Sequence, residues 1–215
     1  MVYIDRITAM VISTILVLMG FTVQHRAKHS AVEGTLLYVT KTQTLTLLHM
    51  LENDLASIGY ETPPDEDAIL GYQVRPADDI LESMEFWGLW RETEQSAPAR
   101  ARIRYTVALA DSAKIQGEMV PLFRLTREVN TGGGWSEQGH SPPTLTSLAI
   151  DLLNENNTPV APEQARHVRV RLVNGVVPPL AESLDAAKRE AVPTGYRKLY
   201  TTVLLSPSNL RGYQM

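Results

Sequence analysis

The sequence predicts an α+β protein: a long N-terminal α-helix, hydrophobic in its first half, packed through its second half on a mainly antiparallel β-sheet head. Three observations predict it. Residues 7–23 carry no charge; no proline occurs before Pro63; and beyond Pro64 the apolar period changes from helical to alternating. The expected organisation is a hydrophobic transmembrane helix over 1–24, to be sheltered by lipid or by other copies of itself, its amphipathic continuation over 25–59, and a β-rich globular head over 60–215.

The uncharged run of 17 residues spans roughly 25 Å at helical rise, slightly short of a hydrocarbon core. Val2, Tyr3 and Ile4 extend it past Asp5 and Arg6, and His25, Arg26, Lys28 and His29 form a basic collar at its other end. A cleaved signal peptide wants a basic start and a shorter apolar core; "MVYIDR" balances its charges. Ile7, Val11, Ile15 and Leu18 are the residues expected to face lipid or like helices. Asp5 then needs a partner, because a carboxylate among lipid tails costs on the order of 3 kcal/mol or more. Arg6 is adjacent but points elsewhere on a helix. If Met1 is the mature N-terminus, its ammonium lies one turn before Asp5 and can pair with it in the same or an adjacent subunit. The other reading of Asp5 is interfacial, snorkelling beside Arg6.

From Ser30 onward the run "SAVEGTLLYVTKTQTLTLLHMLENDLASIGY" is amphipathic. Leu48, Leu51, Leu55 and Ile58 form one stripe, with Leu37, Leu45 and Met50 placed near the same side. Lys41, Gln43, Glu52, Asn53 and Ser57 fall on the polar side. The threonines at 40, 42, 44 and 46 weaken helix propensity, so this half must be held by packing. Gly59 is a stop signal, and Pro63-Pro64 forbid continuation, which sets one helix over about 2–58.

The head is expected to carry seven strands, in "AILGYQV", "SMEFWGLW", "ARIRYTVAL", "PLFRLTREV", "LTSLAIDLL", "HVRVRLV" and "KLYTTVLL". The clusters "TGGGWSEQGHSPP", "NENNTPVAP" and "NGVVPP" read as turns. Residues 180–191 read as a short helical insertion. "MEFWGLW" is expected mostly in the core, and Trp135 either folded back or at a contact.

Charge is uneven. Residues 60–100 hold ten acids against three bases, and 101–215 hold ten acids against thirteen bases. Two readings compete: solvated loops, or acidic-to-basic complementarity between identical subunits. With a formal net charge of −4 there is no electrostatic footprint for nucleic acid. The absence of cysteine excludes disulfides, thiolate metal sites and a cysteine nucleophile. His25 and His29 are four apart, yet belong to the basic collar. His49 is expected to pack, half-buried, in the amphipathic helix. His140 and His167 have no carboxylate spacing that makes a metal site or triad. "DLLNENNTP" lacks the ligand spacing and turn glycine of a calcium loop. No catalytic, cofactor-binding or metal residue is expected, and the chain does not read as an enzyme.

Asp5 in "MVYID", the greasy run behind it, "LLHMLENDLASIGYETP", "VPLFRLTREV", and "LTSLAIDLLNENNTPVAPEQARHVRVRLV" followed by "YRKLYTTVLL" together resemble the type IV pilin and pseudopilin superfamily. Within it, the head is most similar to PilW-type minor pilins and J-type minor pseudopilins. The resemblance covers nearly the whole chain; its N-terminal arrangement is more specific than its head motifs. It implies a pilin-like fold, and a structural subunit of a type IV pilus-like filament or secretion pseudopilus. Partners would be like copies or other pilin-like subunits, after residence in the inner membrane, and the product would be an extracellular filament or a periplasmic pseudopilus. It implies that Asp5 neutralises the amine of Met1 in a neighbouring subunit, and that the N-terminus is methylated. Two features depart from the pattern: aspartate stands where the family has glutamate, and no leader with a glycine–hydrophobic junction precedes Asp5. The chain therefore reads either as starting at the mature residue or as unprocessed. The alternative function is a single-pass membrane-anchored binding or sensor domain that does not polymerise.

Overall fold

The computed structural model describes residues 2–92, 95–115, 118–175 and 198–211. Met1, the side chains of Asp5 and Ile7, and the expected insertion at 180–191 lie outside the described residues. The protein is α+β; among the described residues it has one long helix and an eight-stranded, antiparallel sheet. It divides into two compact units, Met1–Val39 and Thr40–Met215.

Helix α1 spans Val2–Ala56. In the second unit its buried residues are Thr40, Thr44, Leu47, Leu48, Leu51, Asp54 and Leu55, one stripe at three- and four-residue spacing. Lys41, Gln43 and Asn53 point to water. Leu45 does not join the stripe; it is 44% exposed. Leu48 lies at the edge of the buried face, and at 100° per residue a side chain three positions earlier falls outside it. Thr44 takes that place in the core. Its hydroxyl donates to the Thr40 carbonyl at 2.7 Å, so the group is buried without an unmet hydrogen bond.

The helix stops where Gly59 adopts φ +84°, a left-handed conformation that suits glycine. Its N–H donates to the Trp87 carbonyl at 2.8 Å, and the Ser57 hydroxyl accepts from the Leu89 N–H at 3.0 Å. The end of α1 is thus tied to the second strand by two hydrogen bonds.

The strands are β1 Ile69–Val74, β2 Leu81–Trp90, β3 Ala99–Ile115, β4 Glu118–Asn130, β5 Ser136–His140, β6 Leu145–Leu153, β7 His167–Gly175 and β8 Lys198–Leu205. Their order is β1-β2-β3-β4-β6-β7-β8, with β5 paired to β4. Seven of them lie on the seven expected runs. The eighth, β5, overturns the reading of "TGGGWSEQGHSPP" as turn throughout. Ser-Glu-Gln-Gly-His has no apolar alternation, so nothing local marks it as a strand. Its pairing is set from outside, by β4 and by Trp135, whose ring packs against Arg104 at 3.9 Å and Arg102 at 5.6 Å.

The inner face of the sheet meets the α1 stripe in one core. Leu51, Leu55 and Ile58 join Met84, Phe86, Ile103, Leu125, Leu148 and Val170, all essentially sealed from water. "MEFWGLW" splits by side: Met84 and Phe86 are buried, while Trp87 is half-exposed and donates its indole N–H to Glu66 at 3.0 Å. Tyr72 of β1 reaches the Ile150 carbonyl of β6 at 2.5 Å. Strands far apart in the order meet there, so the sheet curls around its core.

Replacing Gly59 with alanine is expected to destabilise the head by about 1–3 kcal/mol. The added Cβ would be strained at this φ and would stand 3.1 Å from Asn209 Cβ. Thermal unfolding of the full chain in detergent, followed by near-UV circular dichroism, checks this; an unchanged midpoint would contradict the assigned cap.

Candidate functional site

Two features of α1 stand out, one in each unit. The first is apolar and exposed. Ten large side chains between Met10 and Val23 are 49–74% accessible, including the expected core residues Val11 (52%), Ile15 (49%) and Leu18 (61%). Burying such a side chain stabilises by about 1.5 kcal/mol or more. Ten of them amount to a term comparable with the folding free energy of a whole domain, about 5–15 kcal/mol. Water is therefore the wrong surrounding for this segment. The helix is long and apolar enough to cross a membrane over Met10–Ala56, by length and composition. Its polar groups suit a dry setting too: the hydroxyls of Thr14 and Thr22 donate to the Met10 and Leu18 carbonyls, each at 2.9 Å, so neither requires water.

The second feature is a buried charge cluster that holds the later part of α1 on the sheet. Asp54 points inward from the stripe and is 7% exposed; Arg127 of β4 is 8% exposed. Arg127 approaches side-on, with Nε 2.5 Å from Asp54 Oδ2 and Nη2 2.9 Å from Oδ1. Tyr105 of β3 donates its hydroxyl to Asp54 Oδ2, and the Trp90 ring packs against the guanidinium at 5.0 Å. Burial pushes the Tyr105 phenol well above its usual range, and the Asp54 carboxylate beside it adds to this. Burial alone would lower the Arg127 pKa, but hydrogen bonds and charge from Asp54 outweigh that, and it ends raised. The carboxylate thus accepts three hydrogen bonds and meets one full positive charge.

Ten residues earlier there is a neutral anchor. Asn174 of β7 donates Nδ2–H to the Thr44 hydroxyl at 2.6 Å and accepts from the Thr144 hydroxyl at 3.3 Å. Two directional contacts about 15 Å apart along the helix fix its rotation and axial position on the sheet.

Sequence reasoning named Val11, Ile15 and Leu18, which the structure leaves exposed on α1. It missed Asp54, Tyr105, Arg127 and the Thr44–Asn174 pair. One signal was available: Asp54 interrupts the apolar stripe between Leu51 and Leu55. The histidines settle elsewhere. His49 is exposed, not packed, and lies 3.2 Å from Glu52; His140 pairs with Glu137 at 2.9 Å and His167 with Ser206 at 2.8 Å. In the "NENN" turn, the Asn154 side chain accepts the N–H groups of Asn156 and Thr158, a polar turn closed on itself. Among the described residues, no group of three His, Asp or Glu side chains is placed to hold a metal.

Comparison with family models, with curated proteins and with solved structures returned no match.

Arg127→Met strands the Asp54 carboxylate in the core and is expected to cost about 3–5 kcal/mol, lowering the thermal midpoint by on the order of 10 °C. The triple variant Asp54→Leu, Tyr105→Phe, Arg127→Met removes every charge together and should recover most of that loss. Equal destabilisation of single and triple variants would show that packing volume, not the stranded charge, sets the cost.

Proposed function

We propose that this chain is a pilin-like structural subunit, which inserts its N-terminal helix in a membrane and then assembles through that helix into a type IV pilus-like filament or pseudopilus. The observation that carries the reading is the contrast along α1. Thr40–Ala56 is committed to the sheet by apolar contacts, a buried ion pair and the Thr44–Asn174 bond, while Met10 to Val23 exposes an uncharged, largely apolar surface. A membrane satisfies that surface first, and like helices satisfy it in a polymer.

In this reading Asp5 supplies register. A lone carboxylate near the tip of an apolar rod is costly, and the ammonium of Met1 in a neighbouring copy offsets that cost at one axial offset only. Ile7, Val11, Ile15 and Leu18 supply the apolar contact around the pair. The protein acts by assembly and not as an enzyme.

Asp5→Ala is expected to leave the head folded and membrane insertion intact, while cutting incorporation into sheared filaments at least tenfold, measured by quantitative immunoblot. Asp5→Glu should retain incorporation. Wild-type incorporation of the alanine variant would sink the role of Asp5. Mass spectrometry of the mature N-terminus tests the same assignment through the amine it requires. Detergent extracts containing only monomers, with no filaments in electron micrographs, would instead favour a non-polymerising, single-pass binding or sensor protein.

A further inference from the structure

The cluster "NGVVPP", expected as a turn, begins inside β7: Asn174 and Gly175 are the final residues of that strand. Asn174 is the one asparagine in the chain followed by glycine. Of all the residues that can follow asparagine, glycine leaves it most open to attack from its own backbone. With no side chain, glycine neither shields its nitrogen nor hinders its approach to the neighbouring amide carbon.

The fold holds both reacting groups. The Asn174 side chain is 2% exposed. Its Nδ2–H donates to the Thr44 hydroxyl of α1 at 2.6 Å, and its Oδ1 accepts from the Thr144 hydroxyl at 3.3 Å. The Gly175 N–H donates to the Thr144 carbonyl at 2.8 Å. Asn174 also pairs with Leu145 of β6 and Leu199 of β8, which keeps its backbone extended. Bringing the Gly175 nitrogen onto Asn174 Cγ requires rotation about the bonds of Asn174, and the contacts with Thr44 and Thr144 oppose that rotation. Because the pair ends β7, lifting α1 and the segment around Thr144 frees these atoms without parting the body of the sheet.

We infer that Asn174–Gly175 is a deamidation site that α1 holds shut through Thr44, and that release of the helix turns the anchoring amide into a carboxylate. In the reaction the Gly175 nitrogen bonds to Asn174 Cγ and closes a succinimide ring. The bond from Cγ to the side-chain nitrogen breaks, and that nitrogen leaves as ammonia with the proton lost from Gly175. Water then adds to either ring carbonyl and opens the ring to aspartate or isoaspartate. No oxidant, reductant or enzyme is needed. The product cannot rebuild the contact. Position 174 loses its N–H donor, and the Thr44 hydroxyl already gives its proton to the Thr40 carbonyl at 2.7 Å. Two acceptors then face each other in a buried site, and a charge stands where a neutral amide did, which is costlier to bury. Isoaspartate also lengthens the backbone of β7 and breaks its ladder. A transient opening of the head thereby becomes permanent, whether or not the chain polymerises.

The test incubates the full chain in detergent and mildly alkaline water enriched in heavy oxygen. Peptide mapping by mass spectrometry then follows the label that ring opening adds at position 174. In urea, Asn174 should label faster than every other asparagine of the chain; a slower rate there would overturn the inference. Folded wild type should stay almost unlabelled. Folded Thr44→Val should label about tenfold faster, the effect of losing one buried hydrogen bond, and Thr44→Ser near the wild-type rate. Thr144→Val serves the same comparison if Thr44→Val does not fold. Ile103→Ala, which loosens the head from the sealed core of β3, should label far more slowly than Thr44→Val. Equal rates for those two would show that only whole unfolding opens the site and would overturn the gating by α1. Asn174→Asp supplies the product directly and should lower the thermal midpoint by about 5 °C; an unchanged midpoint would overturn the loss of the anchor.

Discussion

The head is organised around the buried carboxylate of Asp54. Taking that charge out of water costs several kcal/mol, and only good geometry offsets the cost. Arg127 and Tyr105 provide it by converging from adjacent strands β3 and β4 on one helix position. The pair adds little net stability over well-packed apolar residues, but it penalises every alternative. A shift of α1 by one residue swings Asp54 by 100° and leaves both it and Arg127 buried without partners. Apolar contacts between leucines permit such slippage; a bidentate ion pair does not.

That constraint gives one helix two chemistries. From Thr40 the stripe is committed to the sheet, and Thr44 and Asp54 find protein partners there. From Met10 to Val23 the surface is apolar and accessible, with its threonines bonded back to the helix. Such a surface is stable only in lipid or against similar surfaces. The proposed assembly uses this division, with the head folded through one part of the helix while the other remains available.

Charge along the chain serves the head first. The acid-rich 60–100 segment and the arginine-rich strands after it are neighbours in the sheet. Arg102 binds Glu85 across β2 and β3, with Nε–Oε1 at 2.9 Å, and Arg104 binds Glu128 across β3 and β4 at 2.9 Å. Trp87 packs against Arg100 and Arg102, and Trp135 against Arg102 and Arg104. A sheet with one solvated face thus covers it with alternating guanidinium and indole groups, which also hold the glycine-rich turn before β5. Part of the charge complementarity between segments is satisfied within one molecule.

By itself the sequence determined the helix, the stop at Gly59 and seven of the eight strands, because those depend on local period, propensity and turn chemistry. It also determined the uncharged run and the isolated acid at position 5, which composition alone makes visible. The strand β5 was hidden because its residues carry no apolar alternation and are ordered by a neighbour's backbone. The place of Leu45 was misjudged because stripe width depends on what the helix packs against. The role of Asp54 had no local mark of its own; only tertiary structure brought Arg127, 73 residues away in the chain, and Tyr105, 51 residues away, against it. Local sequence sets each element's period, but which charges meet in the core is decided by sheet order and helix register, and these are fixed only when the whole head closes.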